Sequence, residues 1–172
     1  MFLAFALGKW TGQTCSEMIG DFKRSLRSVG RGERIEVFTD GNDDYTYAFP
    51  GFFKVKQLSY GQLVKIRDYN GKLVGKEIRV VYGDPDKDEV ETVNVENFNS
   101  ILRERVGRLV RKTKCIAKKK SSLRCALSVF QFYWDFISEI KRGLTPAMME
   151  KCSTHIWTWH EFYYSDVLLT NT

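Results

Sequence analysis

The stretch at 93–112, VNVENFNSILRERVGRLVRK, narrows the folding options more than any other part of this sequence. Val95, Phe98, Leu102, Val106 and Leu109 recur at helical spacing and, at about 100° per residue, form one apolar stripe. Glu96, Ser100, Arg103 and Gly107 fall on a different stripe, because positions i, i+4 and i+7 share a helix face. The spacing predicts one amphipathic helix with a carboxylate near its amino terminus, an arginine two turns on and a glycine beyond. Glycine costs about 1 kcal/mol in a helix interior, and here it leaves room for a bulky partner on the face of Glu96. Two readings satisfy the pattern. One is a docked surface helix with solvated charges; the other is a helix that presents an acidic metal ligand to nucleic acid.

A length of 172 residues suits one domain. The formal charge of +6 is unevenly placed. Arg103, Arg105, Arg108, Arg111, Lys112, Lys114, Lys118, Lys119, Lys120 and Arg124 crowd one segment, opposed only by Glu104. So dense an excess is the footprint of a polyanion partner, against the alternatives of a solvated face or a targeting run. The four cysteines form no CxxC pair, which argues against a zinc ribbon and against a secreted disulfide scaffold. Cys152, His155 and His160 form a C-x2-H-x4-H run that lacks a fourth ligand at suitable spacing. The opening MFLAFALGKW has no basic segment before its apolar run, and no stretch is long enough to span a membrane. A reduced cytoplasmic setting is therefore the expectation.

In chain order, 1–7 reads as a buried strand ending at Gly8. A helix follows at 11–29, with Cys15, Met18, Ile19, Phe22 and Leu26 on its apolar face, Thr14 or Ser16 as its cap, and Gly30 and Gly32 as its stop. A second strand at 34–39 delivers Asp40 to its carboxyl end, where ligands gather in open α/β sheets. Asp40 before Gly41 also suits a turn aspartate. A loop at 42–53 leads to a short strand at 53–58. Alternating runs at 62–69 and 72–82 flank Asn70-Gly71, a hairpin signal. An acidic loop at 83–91 enters the helix at 93. A basic linker at 112–122 precedes a second long helix at 123–141. Its aromatic face (Leu127, Phe130, Trp134 and Ile137, widened by Tyr133, Phe136 and Ile140) reads as core, and Gly143 ends it. A short helix at 147–152 and an aromatic run at 156–164 are expected to pack back on the core.

Asp40 at a strand end and Glu96 at a helix start suggest a nuclease-like site. Phosphodiester transfer uses carboxylates to hold two Mg2+ ions about 3.5–4 Å apart, with the basic face after Glu96 tracking the DNA backbone. The blocks FTDGNDDYTYAF, VVYGDPD, VENFNSILRERVGRLVRKTKCIAKKKSSLRCAL, FQFYWDFI and LTPAMMEKCSTHIWTWHEF occur in that order and cover most of the chain. Together they resemble the C-terminal catalytic part of the insertion sequence one family of DDE transposases, and the block beginning at Glu96 is the specific one.

The resemblance implies an α/β, RNase H-like core with a β-hairpin insertion and C-terminal helices. It implies organisation as a partial sheet with crossover helix (1–60), the hairpin (61–92) and a basic helix with the helical remainder (93–172). It implies Mg2+-dependent cleavage and strand transfer at the ends of a mobile element, with a homodimer as the family expectation. Asp40 matches the family's second acidic residue, Glu96 its glutamate, and Arg103 its arginine, with Asn97 and Asn99 inside the same motif. Asn99, Arg103, Arg108, Arg111, Lys112, Lys118, Lys119 and Lys120 are the expected DNA contacts. The family's first aspartate lies on a strand upstream of the part resembling MFLAFALGKW, as does its DNA-binding region. The chain is thus expected to lack the first strand of the core and to have low or no activity alone. A DNA-binding fragment that associates with or inhibits a full-length transposase is the alternative.

Overall fold

The computed structural model describes residues 1–9, 11–26, 34–86, 93–110 and 117–165. The chain divides into two compact units, one formed by Ala4–Arg105 and the other by Met1–Leu3 with Val106–Thr172. The first is mixed α/β. The described part of the second is helical.

In the α/β unit, α1 (Gly12–Ser25) is capped by Thr11, whose extended backbone lets its hydroxyl accept from Thr14 N–H. The cap is therefore Thr11 rather than Thr14 or Ser16. Cys15 and Ile19 turn inward from this helix, as the apolar spacing predicts. The glycines expected to end it lie outside the described residues. Strand β1 (Ile35–Asp40) runs parallel to β2 (Leu58–Arg67), with Asp40 level with Leu63. The crossover between them holds α2 (Asp44–Ala48) and two 3-10 turns, Phe49–Gly51 and Val55–Gln57. The strand expected at 53–58 is thus a correction. Phe52 and Phe53 both give their N–H groups to Phe49 O, which leaves no ladder to pair there, and the strand begins at Leu58.

Strand β3 (Leu73–Tyr82) returns antiparallel to β2, completing a three-stranded mixed sheet of order β1-β2-β3. The hairpin is where Asn70-Gly71 predicts it. Gly71 takes φ +78°, and the Asp68 carboxylate accepts from the N–H groups of Asn70 and Lys72, each at 2.9 Å. Leu58, Tyr60, Ile19 and Phe49 form the centre of the core, all almost fully buried. The long hairpin does not exile the helix that comes after it, because a side chain on β2 reaches α3 (Val93–Arg105).

That helix ends at Arg105, not at 112. Val106 leaves helical geometry (φ −102°, ψ 88°) and Gly107–Leu109 form a 3-10 turn. The single stripe read from Val95 to Leu109 is divided, with buried Val106 already belonging to the helical unit. Gly107 therefore sits in a turn and does not thin the helix face that carries Glu96.

Residues 1–7, expected as a strand, belong to none. The backbone of Phe2 is satisfied instead by side chains of the helical unit: its N–H donates to Asp135 Oδ1 at 2.6 Å, and its carbonyl accepts from Gln131 Nε2 at 2.5 Å. Those residues come from α4 (Lys120–Phe132) and the π-helical turn Tyr133–Ile137 that continues it. The second long helix thus starts earlier than 123 and leaves α-geometry after Phe132. Gly143 lies in a separate tight turn with φ +76°, not at the helix end. Leu127 and Phe130 face the core as predicted, and Phe130 stacks with Trp134. Two short helices complete the unit, α5 (Pro146–Met149) and α6 (Trp159–Tyr164), capped by Thr145 and Thr158. The aromatic tail packs back as expected: the Phe162 ring lies 4.4 Å from that of Phe132, and Trp157 N–H bonds Phe136 O.

Candidate nucleic-acid interface

Asp40 occupies the position its sequence context predicts, the carboxyl end of a strand in a sheet with parallel pairing. The loop after Asp40 is held firmly. Gln62, wholly buried, donates through Nε2 to Asn42 O at 3.1 Å and to the Tyr60 hydroxyl at 2.9 Å. That hydroxyl also bonds Thr39 at 2.8 Å. Arg79 on β3 reaches across to Asp43 at 2.8 Å. Asn42 Oδ1 accepts from Asp44 N–H, and Asp40 Oδ1 accepts weakly from Asn42 N–H at 3.4 Å. Composition and periodicity give no sign of this buried network. A glutamine within an alternating run was its one available signal.

The surroundings are electronegative. Burial, then the charges of Asp44 and Asp40, push the Cys15 thiol up. Burial and neighbouring charges, Asp40 among them, push the Tyr45 hydroxyl to about 12. Both residues therefore stay neutral at physiological pH. A cavity of about 160 Å3 opens here, with Lys9, Thr14, Cys15, Asn42 and Tyr45 among its lining.

Glu96 lies in the first turn of α3, exposed, and forms an ion pair with Lys65 of β2. Lys65 stands two residues along β2 from Leu63, the partner of Asp40. Spacing alone could not reveal Lys65, which is separated from Glu96 by the hairpin return. Its ammonium already balances the charge of Glu96. Among the described residues no group of three or more His, Cys, Asp or Glu could hold a metal ion. Asp40 and Glu96 are thus two carboxylates on separate elements, one of them paired with a lysine.

Asn99 is half-buried on α3, and Arg103 is exposed in its last turn. In the helical unit, Arg108 donates through Nη1 to Ser122 O at 2.9 Å, which brings the 3-10 turn onto the first turn of α4. Lys118, Lys119 and Lys120 precede or open that helix, all exposed, with no acidic residue in its first turn and no side-chain cap. Arg108 and the three lysines are thus gathered at one helix start. Arg111 and Lys112 lie outside the described residues. In the Cys152, His155 and His160 run all three residues are exposed; His155 pairs with Glu161 at 2.9 Å and stacks on Trp157, and His160 lies against Tyr164.

The chain matches no protein-family model, no curated protein sequence and no solved structure. No helix among the described residues is long and apolar enough to cross a membrane.

Proposed function

We propose that this chain is a DNA-binding polypeptide of transposase type, related to the catalytic part of the insertion sequence one family, that holds DNA but does not cut it alone. The observation that carries this reading is the gathering of Arg108 with Lys118, Lys119 and Lys120 at the start of α4. Cations at a helix amino terminus oppose the helix dipole and one another. A polyphosphate backbone relieves both, because exposed N–H groups and ammonium groups favour the same negative partner. Asp40 at a strand end and Glu96 on a later helix support the transposase relation and an RNase H-like ancestry. They are the carboxylates that would take part in Mg2+-dependent cleavage and joining of element ends once a further carboxylate completed the set. The Lys65–Glu96 pair favours the non-catalytic form for this chain by itself.

The test is duplex DNA binding by fluorescence anisotropy over a salt series, with and without charge reversal at Lys118, Lys119 and Lys120. Four phosphate contacts give a log–log salt slope of about −3.6, and the reversed variant should lose most of it. Binding that is indifferent to salt and to the reversal sinks the reading. A Mg2+-dependent nicking activity of the chain alone, lost in Asp40→Asn and Glu96→Gln, would show that the site is complete and the non-cutting part of the proposal wrong.

A further inference from the structure

The β2–β3 hairpin is half inside its unit and half outside it. On β2 the first six residues are buried and Lys65, Ile66 and Arg67 are exposed, while β3 is exposed along most of its length. The distal part is a two-stranded ribbon in solvent, a structure that is marginal in water on its own. It nevertheless displays apolar side chains: Ile66, Leu73 and Val74 are 43, 44 and 61% exposed, and Tyr69 at the tip is 97% exposed. Leu73 and Val74, successive on β3, point to opposite faces, so the ribbon carries exposed apolar groups on both faces.

The charges identify the partner. The register sets Lys65 directly opposite Lys76, a like-charge cross-strand pair that destabilises the ribbon. Glu96 offsets Lys65, but no ion pair among the described residues holds Lys76 or Lys72. Between Leu58 and Tyr82 there are five basic residues and two acidic ones. The ribbon is therefore cationic, narrow and edged with apolar groups. The major groove of duplex DNA admits a two-stranded ribbon, lines its walls with phosphates and presents thymine methyl groups to apolar side chains.

We propose that the β2–β3 hairpin is a second DNA-binding arm, lying in a groove of the duplex with Lys72 and Lys76 on phosphates and Tyr69 at its leading end. This contact is separate from the basic start of α4, and it rests on the reading of the chain as a DNA-binding protein.

The experiment compares three full-length proteins on one duplex by anisotropy in rising KCl: wild type, the arm variant Tyr69→Ala/Lys72→Ala/Lys76→Ala, and Lys118→Gln/Lys119→Gln/Lys120→Gln. The three arm side chains are exposed, so circular dichroism should report an unchanged fold. The arm variant is expected to bind about tenfold more weakly and to have a salt slope shallower by about 1.8, the share of two phosphates. Hydroxyl-radical footprinting should lose one protected stretch and keep another. If the arm variant binds like wild type while the α4 variant loses affinity, the arm is not a DNA contact and the DNA-binding reading stands. If wild type does not bind duplex, both fall. If the arm variant keeps DNA affinity but loses self-association by light scattering, the ribbon pairs copies of the chain and the proposal is overturned.

Discussion

Asp135 gives the helical unit one source of pH dependence. Burial pushes its carboxyl to about 6 from 3.8, against the opposing pull of the Phe2 N–H. The folded state thus binds this proton more tightly than the unfolded chain does. The stabilisation is complete below about pH 4 and is lost as pH rises through about 6, for a total of about 3 kcal/mol. Urea midpoints read by tryptophan fluorescence, with Trp134, Trp157 and Trp159 all in this unit, should fall between about pH 4 and pH 7; Asp135→Asn should flatten the profile. Gln62 sets a second expectation. Gln62→Leu removes the donor to Asn42 O and the Tyr60 hydroxyl within the core, and should cost about 1–3 kcal/mol in urea denaturation. The Lys65–Glu96 pair is partly exposed, so a double-mutant cycle through Lys65→Ala and Glu96→Gln should give a coupling of only about 0.2–1 kcal/mol.

Among the elements, the hairpin was the most legible, because Asn70-Gly71 stands between alternating runs and its turn chemistry is local. The strand ending at Asp40 was legible for a similar reason: a short apolar run stops at a turn signal. Residues 1–7 were not, since seven mostly apolar residues read alike whether a neighbouring strand or the side chains of Gln131 and Asp135 satisfy the backbone. The end of α3 was hidden by apolar residues that keep helical spacing beyond it, although Val106 is buried in the other unit. The π-helical turn after Phe132 has no sequence signal at all, and Lys65 came to light only with the strand register. At the closing end of β3, Gly83 takes φ +62°, and an added Cβ would collide with Leu58 O. Gly83→Ala should therefore lower the urea midpoint of the α/β unit by far more than a surface substitution does, by about 2 kcal/mol or more, while Gly51→Ala, which meets nothing within 4 Å, serves as the control.

For the molecule as a whole, a charge of +6 acts first on encounter rates. Stopped-flow association with duplex DNA should slow steeply with added salt. Glu96→Gln and Asp40→Asn, each removing a negative charge, should leave affinity unchanged or raise it at low salt. A fall in affinity would overturn the expectation that these carboxylates only add repulsion toward a polyanion.

The clasp on Phe2 also sets an order of events during synthesis. Its two bonds join residues separated by 129 and 133 positions along the chain. At about 5–20 residues per second, the ribosome adds Phe2 roughly 7–27 s before it adds Asp135. Throughout that interval the intervening α/β segment can already be folding, while Phe2 waits for a partner that does not yet exist. The clasp therefore cannot close until Asp135 has been added, and a nascent chain stalled before Gln131 would carry Phe2 without it.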